Sequence, residues 1–594
     1  MRTFRYLCTL LIGLSIGLGS STVGSAQAGR TAGHSDASAN AAEREYQQGL
    51  RLLQQNRPEQ ALESFRRATK LAPNNSEIQN ALAQLLLREN DIDEAITHFR
   101  IVTQLRPKLA LGHAYLGQAL AAKGSLKEAE GELRKAVQLA PKEAEAHRML
   151  ARVLIQEKRP ELASSELRIA LDLKPERADL HDELGSVLAQ QKQYLNASVE
   201  FQKAIDLDPK FGPAYLHLGV AQLATQSGAA KDTLQRYVAL AGDDPTGHYY
   251  LANALENSGD RDGAINEFQR ALQLNPKMLE GEVHLGRLLQ RAGEMDLALE
   301  ALQKAVRLAP GDPENHNSLG LALLQVGQGP EAKKEFEEAI RLSPDNVSFQ
   351  GNHAVALLQM SDFDGAVSEL QKALGQAPQR ADLHYDLALA LKLKDDLTGA
   401  IGELKHAIEL DPTLVDAYYT LGVILWQKGD FAEAAKQLSE ATRVKPDYAE
   451  AFYTLGTVYK QMNKLPEAEQ ALQKSVALQP EFVGAHTTLA AVLRQMGDTT
   501  AADREQEEGA RLARERTSLQ SAVFATNSGK RLFAAGDLEG ALSQFRNAIR
   551  MSPSFAPAHY QLALALSRKG DKEEAAQEFQ KAAELDPRLK PIAQ

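Results

Sequence analysis

The feature that most constrains this chain is an alanine that returns every 34 residues. The series runs through Ala61, Ala95, Ala129, Ala163 and Ala197 and ends at Ala541 and Ala575, sixteen places in all. One interval, Ala197 to Ala230, is a residue short, and one, Ala502 to Ala541, is five residues long. A period of this length marks stacked helical hairpins, in which no single unit buries its apolar face alone. It commits nearly the whole chain to one architecture and leaves no contiguous stretch for a separate catalytic domain.

The other fixed places explain the hairpin. In residues 415–448, Tyr418, Leu421, Gly422 and Leu425 fall three to four apart on one face of a first helix. Gly422 is small, so a second helix can approach its backbone. Gly429-Asp430 turns the chain. Ala434, Leu438 and Ala441 set two small residues around one large one. Pro446 stops the second helix, and proline fills that place in fourteen of the sixteen units, with Gly242 and Arg514 in the other two. This set resembles the tetratricopeptide repeat (TPR) family over residues 42–589. The resemblance implies an all-α fold, a right-handed TPR superhelix (an α-solenoid) of about sixteen helix-turn-helix repeats. Its concave face would be lined by the first helices.

The formal charge is −11, and removing residues 1–28 takes away Arg2 and Arg5 to leave −13. An acidic chain is a poor general binder of nucleic acid, which needs a basic surface. Residues 1–28 read as a Sec-type signal peptide: Arg2 and Arg5, then an apolar run over residues 6–19, then Ala26-Gln27-Ala28 as the cleavage site. An uncleaved anchor is the alternative, against which the short apolar run speaks. No other stretch suits a membrane span, so no integral membrane segment is expected after signal removal. Cys8, inside the signal, is the single cysteine. A mature chain would carry no disulfide or thiol chemistry, which fits a bacterial periplasmic or secreted protein. Residues 29–41 read as a disordered linker.

Two slips in the period divide the array into repeats 1–6 (42–244), repeats 7–14 (245–516), an insertion (517–521), repeats 15–16 (522–589) and a tail (590–594). Tyr237 stands where most units have alanine, so repeats 6 and 7 should meet at a kink or joint, unless the core repacks locally. Residues 503–516 are charged nearly all round, and Arg514 removes the stop, so this helix should run on into the insertion as a solvated spacer. The last helix either caps itself or is covered by a partner or a second copy, making a homo-oligomer.

Eight histidines, His113, His147, His181, His248, His316, His384, His486 and His559, hold the fourth place of their units. A whole hairpin separates neighbours, too far for a shared metal with bonds of about 2 Å. A half-polar ring at an inter-helix edge explains them better. His353 stands in a core leucine place. No metal-protease, nucleophile-elbow, P-loop or dinucleotide motif occurs. The reading is therefore of a non-enzyme with no catalytic, cofactor-binding or metal residues and no cofactors.

The resemblance places the second, fifth, ninth and twelfth residues of each first helix on the groove. Fifth places in repeats 11–13 are Tyr385, Tyr419 and Tyr453, and twelfth places in repeats 11–14 are Lys392, Trp426, Lys460 and Arg494. Trp426 is the single tryptophan. Rings and cations of this kind dominate interface energies, and they suggest a protein or peptide ligand with acidic or aromatic groups. The alternative is that the tyrosines only pack between first helices. The groove of repeats 1–6 is more apolar, with Arg148 and Asp182 at fifth places; it would take an amphipathic helix or be closed by its own contacts. The Lys/Asn/Arg carboxylate clamp of chaperone-binding TPR domains is missing. So is the asparagine ladder of O-GlcNAc transferase, since only Asn80, Asn253 and Asn317 fall on inner places. The chain is thus expected to be an exported scaffold that assembles an envelope or secretion complex. A component of polysaccharide export or modification is the alternative.

Overall fold

The structure, a computed structural model, describes residues 32–589. The signal expected over residues 1–28 and the tail 590–594 lie outside the described residues. Thirty-one helices and no strands occur among the described residues. None of these helices is long and apolar enough to cross a membrane. The chain divides into two compact units, Met1–Gly281 and Glu282–Gln594, a division that falls inside repeat 8.

Within each unit the same hairpin recurs. In repeat 12 the first helix is Val415–Gln427 and the second Phe431–Val444. A Cβ added to Gly422 would lie 2.6 Å from Leu438 Cγ and 3.4 Å from the Ala434 carbonyl, so the two helices touch almost at backbone level. Ala434, Leu438 and Ala441 are fully buried there. Gly429 has φ 82°, and the Asp430 N–H closes the turn on the Leu425 carbonyl at 3.0 Å. The same place has positive φ in all sixteen repeats, although glycine fills only eight. Lys158, Lys192 and Gln226 hold it elsewhere, at a cost of about 1–2 kcal/mol each that the hairpin packing offsets. Within each unit, second helices also pack on the next first helix, and first helices of consecutive repeats meet at several points.

The histidine column joins one repeat to the next. In all eight units Nδ1 lies 2.5–2.6 Å from a glutamate nineteen residues on, in the second helix of the same repeat. Nε2 lies 2.8–3.2 Å from a backbone carbonyl six residues back, which ends the preceding repeat. Each ring is thus saturated by hydrogen bonds. Among the described residues, no group of three or more candidate ligands is placed to hold a metal.

One sequence expectation is corrected. The linker expected to be disordered over 29–41 is helical from Ala32, in a helix that runs to Gln54. The segment is alanine-rich and free of proline, so helix propagates backward from the turn that buries Ala42 against Ala68 and Ile78. Beside Tyr237 the core repacks locally, by an exchange of volume. The ring is buried, its hydroxyl donates to Asp244 Oδ2 at 2.5 Å, and it fills space left by Gly247, where six other repeats carry alanine. A Cβ on Gly247 would sit 2.5 Å from ring carbon Cε1. The second helix here is short, Ala230–Leu240, yet it packs on the helices before and after it. Gly247→Ala is expected to cost about 1–3 kcal/mol by overpacking. The Tyr237→Ala/Gly247→Ala pair should recover much of that loss, because it restores the two alanines that repeats 4, 12 and 16 carry at these places. A double-mutant cycle in urea with no coupling between the two sites would refute the exchange.

Past repeat 14 one helix, Thr499–Ala534, runs 36 residues through the second helix of that repeat, the insertion and the first helix of repeat 15. Gln506 is exposed where other repeats bury a leucine or phenylalanine, so the end of repeat 14 is polar.

Candidate functional site

The seven residues singled out on the inner wall all lie on first helices of repeats 11–14, in the second unit. These helices are Ala381–Leu393, Val415–Gln427, Ala449–Gln461 and Val483–Met496. Stacking brings the seven side chains onto one face, but not as free rings and cations. Tyr385, Tyr419 and Tyr453 are half-buried. Tyr419 packs on Tyr448 with ring centroids 5.2 Å apart, and Tyr453 on Phe482 at 4.8 Å. Both supporting rings are the last residue of their own repeat, on the linker to the next first helix. Trp426 is also half-buried, and its Nε1–H donates to Gln461 Oε1 at 2.6 Å. Arg494 is exposed and pairs with Asp503 at 3.0 Å. Lys392 and Lys460 have no ion-pair partner within 4 Å among the described residues.

The wall holds a second feature that the sequence reading missed. Asp382, Asp416 and Glu450 occupy the second place of repeats 11–13, ten residues before Lys392, Trp426 and Lys460 on the same helices, or about 15 Å along the axis. Asp386 lies among them. The Tyr448 hydroxyl is pushed up to about 12, first by burial and then by the nearby Tyr419, Asp416, Glu450 and Tyr385. Burial, reinforced by the Asp382 charge and opposed by Arg380, pushes the Asp386 carboxyl up to about 6. The face is therefore bipolar: acids along one edge, phenols beside them, and Lys392, Trp426 and Lys460 along the other edge. The visible signal was the recurrence of an acid at the second place.

Asp386 supports a pH prediction. Its folded value lies above the unfolded value of about 4, so its contribution to stability is fully present below about pH 4 and is lost as pH rises through about 6. Asp386→Asn is expected to stabilise repeat 11 by about 1–2 kcal/mol at pH 7.5, discounted for partial exposure, and by nothing at pH 4. Hydrogen exchange of the helix Ala381–Leu393 at the two pH values checks this. An advantage that persists at pH 4 would contradict it.

Models of the tetratricopeptide repeat match residues 46–110, 80–144, 115–178, 148–210, 249–313 and 526–589. Related TPR models match 323–389, 391–429, 424–463 and 449–482. The chain is a tetratricopeptide repeat protein. Among solved structures, this TPR protein is similar to yeast Tom70 at 18% identity and TM-score 0.40, over 73% of this chain and 99% of that one. It is similar to YrrB, described as a TPR protein with an unusual peptide-binding site, at 21% identity and TM-score 0.28, over 31% of this chain and 95% of that one. It is also similar to PilF of Pseudomonas aeruginosa, at 26% identity and TM-score 0.32, over 35% and 96% of the two chains. No curated protein matches it in sequence.

Proposed function

We propose that this TPR protein is an exported scaffold that holds protein partners along the first-helix face of repeats 11–14, in assembly of an envelope or secretion complex. The observation that carries the reading is the pair of unpaired cations, Lys392 and Lys460, beside a half-buried Trp426. Ordering these groups for the fold alone gains little, whereas a partner that covers them gains both charge and area. The acid edge modifies the expected ligand. A purely acidic peptide would suit one edge and be repelled by the other. A segment with acidic groups on one side and basic groups on the other suits both.

The test is a photocrosslinking residue placed at Lys392 or Lys460 in intact cells, with Leu195 on a second helix of the first unit as the control position. Crosslinked partners should appear at the first two positions, and Trp426→Ala/Tyr419→Ala should reduce their recovery about tenfold or more, a loss of at least about 1.4 kcal/mol. Equal recovery with the double variant would remove the groove from the reading. Export is tested separately by fractionation and N-terminal sequencing. A mature start at Gly29 in the envelope or medium is expected, and a cytosolic chain that keeps residues 1–28 would overturn it.

A further inference from the structure

Repeat 10 departs from its neighbours at three places on one helix, Val347–Gln359. His353 stands where thirteen other repeats have a core leucine. Its side chain is 12% exposed, and both ring nitrogens are buried without a hydrogen-bond partner among the described residues. The groups facing it are Glu337 and Lys333 from the second helix of repeat 9, and Glu369 and Lys372 from the second helix of repeat 10. The closest, Glu337 Oε1, is 4.0 Å from Nε2, beyond hydrogen-bond reach. Burial outweighs these charges and holds the ring below the ordinary histidine range.

The inter-repeat clamp is also incomplete here. Gln350 replaces the fourth-place histidine. Its amide donates to the Pro344 carbonyl at 3.1 Å, but its Oε1 is buried without a partner. The residue nineteen further on is Glu369, which accepts and cannot donate to it when ionised. Repeat 2 also has glutamine at this place, but there the partner is His98, whose Nδ1 lies 2.5 Å from Gln79 Oε1. Of eight buried unpartnered side-chain atoms among the described residues, three are on the helix Val347–Gln359. Phe349 stands where six other repeats carry alanine and is fully buried, so packing rather than polar pairing holds the repeat.

We propose that repeat 10 is an acid-labile joint: protonation of His353, which sits in a leucine place with no acceptor within hydrogen-bond distance, opens the hairpin 347–376 between the firmly clamped repeats 9 and 11. A folded-state histidine held below its unfolded value stabilises the fold above about pH 6.5, and that contribution is lost as pH falls through the lowered value. Opening would release the first-helix face of repeats 11–14 from repeats 8 and 9 without unfolding either.

The experiment is hydrogen exchange of the full chain, read by mass spectrometry at pH 7.5 and pH 5.0 and corrected for the intrinsic rate. Peptides from 347–376 should lose protection at least about tenfold on acidification, and those from 415–478 should lose less than about threefold. His353→Leu restores the residue that most repeats carry, so it should fold, and it should abolish the acid loss. The joint is overturned if 347–376 keeps its protection at pH 5.0, or if His353→Leu loses protection as the wild type does.

Discussion

Replacing Arg148 with alanine is expected to destabilise repeat 4 by about 2–4 kcal/mol, the cost of leaving half-buried acids without their buried counter-charge. Arg148 is 5% exposed, at a fifth place where an open groove would present it to a ligand. Instead Nη2 reaches Glu183 Oε1 at 2.6 Å and Asp179 Oδ2 at 3.0 Å, and Nη1 reaches Glu145 Oε2 at 3.5 Å. Arg177 shares Asp179 at 2.7 Å. Burial alone raises the Asp179 carboxyl, but Arg177 and Arg148 outweigh it and hold that carboxyl below the usual range. In the wild type this contribution is present above about pH 4 and is lost as pH falls through the lowered value. Without Arg148 the burial of Glu183 and Asp179 is less compensated. The deficit of the variant should therefore be largest at neutral pH and shrink towards pH 4. Global melting is a poor probe, because long repeat arrays unfold in pieces. Hydrogen exchange of the helices Ala144–Gln156 and Ala178–Gln190 reads the deficit directly. A deficit that does not change with pH would mean that packing, not charge, had been lost.

The same residue shows where the sequence was legible. Alanine, glycine and proline places are read one residue at a time, because each small or rigid residue answers one local constraint. Gly422 and Ala434 could be assigned to the helix contact on that basis, and the structure puts them there. The positive-φ turn could be read at Gly429 but not at Lys158 or Gln226, where the closed hairpin imposes the conformation on residues that do not favour it. Arg148 and Asp182 read as groove-lining groups, yet their partners, Glu183 and His217, lie one repeat on. Only the contact between repeats reveals that the charges are spent. The burial of Tyr419 and Tyr453 against Tyr448 and Phe482 depends on how the linkers fold back, which no single repeat reveals. The cation row could be read because unpaired lysines need no partner to define them.

Breaking one histidine clamp is expected to cost about 2–4 kcal/mol locally, since it strands a carbonyl and a half-buried carboxylate together. His147 is the clearest case. Nε2 lies 3.1 Å from the Pro141 carbonyl, and Nδ1 lies 2.6 Å from Glu166 Oε2. A carbonyl only accepts, so Nε2 carries a hydrogen. A nitrogen 2.6 Å from a carboxylate oxygen also needs a proton between them. The ring therefore ties three pieces of chain together: the end of repeat 3, the first helix of repeat 4 and the second helix of repeat 4. His147→Ala removes both hydrogen bonds. His147→Tyr should cost about half as much, because Tyr215 in repeat 6 makes the carbonyl bond alone, to Pro209 at 3.3 Å. The reciprocal change is Gln350→His. Repeat 10 already supplies the Pro344 carbonyl and Glu369 at the required spacings, so the new ring should gain about 1–2 kcal/mol by satisfying an orphaned site. Hydrogen exchange should show the helix Ala144–Gln156 opening about a hundredfold more often in His147→Ala and the helix Val347–Gln359 opening less often in Gln350→His. If the alanine variant leaves repeat 4 unchanged, the clamp is a by-product of packing. If only the histidine insertion fails, repeat 10 is shaped by Phe349 rather than by its missing proton donor.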